Sequence, residues 1–129
     1  MNFKCPRCFG PDTLEILDSI ALPADSRSDE IALQIVGCGR CGLQGLAVYE
    51  ESRRGSLFSE SWEHNGYLVS EAEFEKIRSL IGICPDRENA RCSCPAHHRL
   101  ERRDANGRWK GLDAVKILGT FPLDGAGSA

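Results

Sequence analysis

Two strand-like stretches are separated by a polar break near the start of the chain. "TLEILDSIAL" (Thr13 to Leu22) is apolar and β-permissive with partial alternation, "PADSRSDE" (Pro23 to Glu30) is polar, and "IALQIVG" (Ile31 to Gly37) is strand-like again. Two such runs around a polar turn predict a β-hairpin. Two further strands are expected in "LQGLAVYEE" and "SLFSESWEH", separated by "SRRGS", with "HNGY" (His64 to Tyr67) read as a turn.

The period then changes. In "SEAEFEKIRSLIGI", Phe74, Ile77, Leu80 and Ile81 fall on one face with the i, i+3, i+6, i+7 spacing of a packed amphipathic helix. Ser70 and Glu73 make a capping box, and Gly82 marks the exit. A core helix without chemistry of its own is expected. Beyond it, "RLERRDANGRWKGL" predicts two strands about a turn at Asn106–Gly107, and the final "DGAGSA" reads as a frayed tail. The expected fold is α+β and β-rich, with a β lobe over residues 1–66, a helix, Cys/His cluster and hairpin over 67–123, and a flexible tail over 124–129.

Composition changes the picture of what holds these pieces together. The chain has 129 residues, 41% hydrophobic and only 7% aromatic, which is thin for a fold that relies on its core alone. Lobes of about 50 residues usually need a metal, disulfides or a partner. Seven cysteines are present, and an odd number leaves one thiol over in an all-disulfide framework. "MNFK" leads into Cys5 without a basic and apolar leader, and no apolar run approaches about 18 residues. These features predict a cytoplasmic protein with no membrane partner, whose cysteines serve metal or redox chemistry.

"CPRC" (Cys5 to Cys8) and "CGRC" (Cys38 to Cys41) bring four thiols to the two ends of the predicted hairpin. The two-residue spacing lets both sulfurs of a knuckle face one ion at about 2.3 Å, and two knuckles complete a tetrahedron. Gly39 and Gly42 suit a tight turn, and Pro6 restricts the first knuckle. Over Cys5 to Tyr49 this order of knuckle, hairpin, knuckle and further strand resembles the zinc-ribbon proteins. The resemblance implies a structural zinc and a role in docking to nucleic acid or protein, or as part of a larger enzyme. The 29 residues between Cys8 and Cys38 exceed the compact spacing, which is about 15–20. A long hairpin arm or an insertion at Pro23 to Glu30 is therefore expected. Iron and a redox disulfide are the alternatives. A redox motif should open a helix after a strand, whereas these knuckles flank strands.

"CPDRENARCSCPAHH" (Cys84 to His98) holds the remaining cysteines, Cys84, Cys92 and Cys94, followed by His97 and His98. Three cysteines and one histidine make a second tetrahedral set and leave no cysteine over. Cys92 and Cys94 leave one face of an extended segment. Pro95 suits the start of a short helix that returns His97 or His98 to Cys94. His97 is preferred because Cys94-x2-His97 repeats the knuckle spacing, with His98 as the alternative. The competing reading makes these thiols small buried hydrophobes. With only three protein ligands, a water could complete the site and Glu88 could act as base. His64 is expected to be solvated.

The formal net charge of −3 is unevenly spread: residues 1–86 carry 8 Lys/Arg against 14 Asp/Glu, and residues 87–116 carry 8 against 4. Two metal-thiolate sets take the whole chain to about −6. Arg99, Arg102, Arg103, Arg108 and Lys110, with Arg87 and Arg91, could still meet phosphates, with Trp109 available for stacking. Interleaved Glu101 and Asp104 suggest a salt-bridged face instead. No Gly-rich phosphate loop, nucleophile elbow or paired-carboxylate motif is present. The expectation is two zinc ions in a non-catalytic adaptor that docks onto a protein or nucleoprotein partner. Direct nucleic-acid binding through residues 87–116 ranks second, and a small metalloenzyme or redox protein third.

Overall fold

In the computed structural model, which describes residues 2–53 and 61–123, five antiparallel strands form one sheet in chain order. They are β1 (Leu14–Leu22), β2 (Glu30–Cys38), β3 (Gln44–Ser52), β4 (Ser61–Leu68) and β5 (Gly119–Pro122). Two helices, α1 (Glu71–Gly82) and α2 (Pro95–Leu100), lie between β4 and β5. The chain is thus β-rich, as its pattern predicts.

The hairpin of β1 and β2 forms as expected, with Leu22 opposite Ile31 and Leu14 opposite Cys38. The partial alternation in β1 has a structural cause. A register shift between Ile16 and Asp18 marks a bulge that changes which face the following residues present. Leu14 therefore joins a knuckle-side core with Phe3, Val36, Ala47 and Phe121. Ile20 and Leu22 join the larger core with Leu33, Ile35, Leu46 and Val48 on the other face.

Helix α1 covers that larger core with Phe74, Ile77 and Ile81, the face its periodicity predicts. The Ser70 hydroxyl accepts from the Glu73 amide at 3.2 Å, satisfying one of the donors a helix start leaves open. The same core takes in Cys84, Ala96, Leu100 and Trp109. Residue 66, the expected lobe boundary, lies inside β4, and residues on both sides of it share this core.

Three local expectations are corrected. "HNGY" is not a turn: Asn65 and Gly66 lie within β4, opposite Val48 and Ala47. Gly66 is there because the Phe121 ring of β5 lies against its backbone; a Cβ would approach that ring to 2.2 Å. The predicted hairpin at Arg99 to Leu112 shrinks to one bridge, Arg103 to Trp109, around Gly107 at φ 76°. Its first residues belong to α2. Strand β5 was not foreseen. The "DGAGSA" tail and the first part of the expected strand "SLFSESWEH" lie outside the described residues.

Candidate metal centres

The two CxxC turns share two bonds, and the second adds a third from the Cys41 amide to Cys38 Sγ at 3.4 Å. In the first, the Phe9 amide donates to the Cys5 carbonyl at 3.0 Å and the Arg7 amide to Cys5 Sγ at 3.4 Å. In the second, the Gly42 amide donates to the Cys38 carbonyl at 3.0 Å and the Arg40 amide to Cys38 Sγ at 3.4 Å. Both turns need a left-handed residue directly after the second cysteine, Phe9 at φ 60° and Gly42 at φ 79°.

The sheet carries the two turns to a common point. Phe3 bridges to Leu14, and the Gly39 amide donates to the Thr13 carbonyl at 3.0 Å. The four sulfurs of Cys5, Cys8, Cys38 and Cys41 lie within 4.8 Å of one another. Cys5 and Cys41 Sγ are 3.5 Å apart, and Cys8 and Cys38 Sγ 3.7 Å. A tetrahedron with bonds of about 2.3 Å has edges of about 3.8 Å, so these spacings fit a single ion.

The second set draws on dissimilar pieces. Cys84 follows the end of α1, Cys92 comes from a loop, and Cys94 is the N-cap of α2. Pro95 starts that helix, as its fixed φ allows. One turn later His97 Nδ1 lies 3.3 Å from both Cys84 and Cys94 Sγ, and Cys84 and Cys92 Sγ are 3.9 Å apart. A tetrahedral sulfur–nitrogen edge is about 3.6 Å, so this set also fits an ion.

The other nitrogen of the His97 ring fixes its orientation. Nε2 lies 2.7 Å from the Ala21 carbonyl of β1. A carbonyl only accepts, so Nε2 carries the proton and the Nδ1 lone pair faces the sulfurs, the tautomer a metal ligand needs. His97 is fully buried, and His98, one residue on, is exposed outside the set. Both metal-ligand groups foreseen in the sequence, Cys5, Cys8, Cys38 and Cys41, and Cys84, Cys92, Cys94 and His97, are thus brought together and can hold ions. Searches with this chain found no matching family model, curated protein or solved structure.

Within each set the thiols differ in acidity. The Thr13 hydroxyl, helped by the Cys41 and Arg40 amides against the cost of burial, lowers Cys38 to about 6. At Cys41 the Leu43 amide favours the thiolate, but burial and the thiols of Cys5, Cys38 and Cys8 outweigh it and raise Cys41 to about 11. Burial opposes ionisation at Cys94, yet the amide and ring of His97 and the Cys84 and Cys92 thiols lower it to about 6. Burial, with the Cys94 and Cys92 thiols and against the Asp86 amide, raises Cys84 to about 11. Without metal, Cys38 and Cys94 therefore ionise near neutral pH, whereas Cys41 and Cys84 keep protons that a metal must displace.

The residues of the expected nucleic-acid surface divide between two recesses, Arg99 and Arg102 lining one and Arg108, Trp109 and Lys110 the other. Trp109 is only 9% exposed, and its indole N–H donates to the Leu100 carbonyl at 2.6 Å, so its ring offers no stacking face. Arg108 pairs with Asp25 and Glu50, Arg102 with Asp113, and Arg103 donates to the Ala24 carbonyl. Arg99 and Lys110 are exposed. His64 is not the solvated group expected. It is half-buried in β4, 2.6 Å from the Gln34 side chain and edge-on to Phe3 and Tyr49, and burial lowers its pKa. Glu88 lines a shallow recess with Asp18 and Arg87, and it is not a member of the second donor set.

Three supporting groups escaped the sequence reading. Ala21 contributes only its backbone, which no side-chain motif reveals. Thr13, 3.3 Å from Cys38 Sγ, stands before β1 with no spacing that marks it. Asp25 lies in the polar break yet is buried, accepting from the amides of Arg27, Ser28 and Trp109. The adjacent "DSRS" is an Asx-turn signal that could have identified its capping role, though not its long-range partners. Among the described residues, no helix is long and apolar enough to cross a membrane.

Proposed function

We propose that both donor sets hold structural zinc and that the protein is a non-catalytic adaptor docking onto a protein or nucleoprotein partner. The carrying observation is that each set supplies four protein donors at tetrahedral spacing. Four ligands leave no coordination position for water or substrate, which favours a structural over a hydrolytic role. Sulfur-rich sets with a single imidazole suit zinc, and thiolates of this kind persist in a reducing compartment such as the cytoplasm.

The runner-up, direct nucleic-acid binding, loses its stacking group with the burial of Trp109 and the Arg108 charge to its pairs with the buried Asp25 and with Glu50. Elemental mass spectrometry on protein purified without added metal tests the zinc assignment. Two zinc ions per chain are expected. One would remove the second site, and iron with visible charge-transfer absorption would overturn both assignments.

A further inference from the structure

A groove of about 330 Å³ runs between α1 and α2 and is closed on its third side by the segment after Trp109. Ile77, Leu80 and Val115 form an apolar floor, and Lys76, Arg99 and Arg102 stand around it. Among the described residues, no acidic one lines it. His98, which stays outside the metal set, faces this groove instead.

The charges here contrast with the rest of the chain. The formal net charge is −3, yet this groove presents only cations. Lys76 and Arg99 form no ion pair with a described residue. Arg102 pairs with Asp113 at 3.2 Å, with both side chains about half exposed. A surface pair of that kind contributes little and exchanges readily for another carboxylate. An acidic partner is repelled by most of this protein and accepted here, the arrangement that gives electrostatic selection among partners.

We propose that this groove is the docking site and that its occupant is an acidic amphipathic segment of a partner protein. Apolar side chains of that segment sit on Ile77, Leu80 and Val115, and its carboxylates meet Lys76, Arg99 and Arg102. The inference rests on the adaptor reading and names its site and partner chemistry. A single-stranded nucleic acid fits less well, because among the described residues His98 is the only ring in the lining. The groove's position also ties docking to the second metal set, since α2 is held by Cys94 at its cap and His97 within it.

The test is selection of a random peptide display library on the zinc-loaded full chain, followed by binding of the enriched peptides in solution. Enriched sequences should combine Asp and Glu with Leu, Ile or Phe at helical spacing. The double substitution Lys76→Glu with Arg99→Glu should weaken them roughly tenfold or more, and Leu80→Glu should do the same. Arg78→Glu, on α1 but outside the groove lining, should leave binding unchanged. Zinc content and thermal transition, measured on every variant, separate lost docking from lost folding, and the exposed Lys76/Arg99 pair keeps the test independent of the core. Peptides insensitive to the groove substitutions would overturn the groove while leaving an adaptor role standing. Enrichment of basic peptides, or no enrichment, would overturn the acidic-segment assignment. Binding of a single-stranded oligonucleotide at physiological salt, lost in the Lys76/Arg99 variant, would overturn both this inference and the adaptor reading.

Discussion

In the first donor set two near-identical turns sit at the ends of one hairpin, whereas in the second a helix end, a loop and a six-residue helix converge from an irregular segment. The first set is built from local turn geometry: each knuckle closes its own amide-to-sulfur and amide-to-carbonyl bonds, and β1 and β2 bring the turns together. The second gains its geometry from contact with the sheet. Ala21 on the outer edge of β1 donates its amide to the Arg87 carbonyl at 2.8 Å and accepts His97 Nε2 at 2.7 Å. The segment carrying the second set thereby covers part of an edge strand that would otherwise present unpaired groups. A local set depends on its turns, and a set built by tertiary contact transmits its occupancy to the sheet.

The largest effect should come from breaking the first set. Cys5 is fully buried in the knuckle-side core, and Cys5→Ser removes a ligand from the set that closes this end of the sheet. Structural zinc contributes apparently about 10–16 kcal/mol in zinc-finger peptides, comparable to or above the net stability of about 5–15 kcal/mol of a typical domain. Loss of the cooperative thermal transition by circular dichroism is expected, together with loss of zinc. A variant that melts like the parent would show that the apolar contacts around Leu14 and Phe121 suffice.

His97→Ala should act on the second set and leave the first intact. One zinc per chain should remain, and the β-sheet signal should persist. Hydrogen exchange should speed up at the Ala21 amide, because its acceptor segment is no longer held by the ring. Unchanged protection at Ala21 would mean that the metal and the sheet edge are independent, removing the contrast drawn between the two sets.

The same contrast explains what could be read in advance. The knuckles, the hairpin and α1 follow from short-range spacing, which survives in any linear reading: CxxC, alternation, and Phe74, Ile77 and Ile81 on one helical face. What was missed depends on partners far along the chain. "HNGY" carries turn chemistry, yet Gly66 stays in β4 because Phe121, from a four-residue strand ending at Pro122, packs against it. Trp109 resembles an available surface aromatic until its indole N–H donates to the Leu100 carbonyl and the helix-side core takes its ring. The second set was legible as composition, three cysteines and a histidine; its dependence on the Ala21 backbone was not.

A smaller effect tests whether the second region has an anchor apart from metal. The fully buried Asp25 side chain joins the loop before β2 to the turn at Asp104–Trp109 through the Arg108 guanidinium and the Trp109 amide. Asp25→Ala leaves those donors without their acceptor and should cost about 2–3 kcal/mol in denaturant unfolding. The carboxyl also sets an acid limit. Burial favours its neutral form, but the amides of Ser28, Trp109 and Arg27 and the charge of Arg108 outweigh it and lower the pKa. A lowered folded value contributes stability above the unfolded value, about 3.9, that is lost as pH falls through the folded one. Wild type should therefore lose part of its stability below about pH 4, and Asp25→Ala should lack that part. An identical acid profile in the two proteins would remove Asp25 as an anchor.

The smallest effect asks whether the two knuckles are the same turn. Gly42 and Phe9 both occupy left-handed backbone, but only Gly42 does so without strain from a Cβ. A Cβ added at Gly42 would find no atom within 4 Å, so Gly42→Ala measures the backbone cost alone, expected at about 1–2 kcal/mol. Phe9, 64% exposed, already bears that cost, and Lys4 Nζ lies 5.5 Å from the ring centroid. Replacing Phe9 by Gly removes the strain, loses an exposed cation–π contact of about 0.5–1 kcal/mol and adds unfolded-chain freedom of similar size, so the net change should be under about 1 kcal/mol. Phe9→Ala keeps the strain and loses the contact, so it should be the less stable variant by about 0.5–1 kcal/mol. Glycine should therefore outrank alanine at both positions in thermal unfolding with the metals bound. If alanine equals or exceeds glycine at residue 9 but not at residue 42, the first knuckle does not need the left-handed residue, and the likeness between the two turns ends at their cysteines.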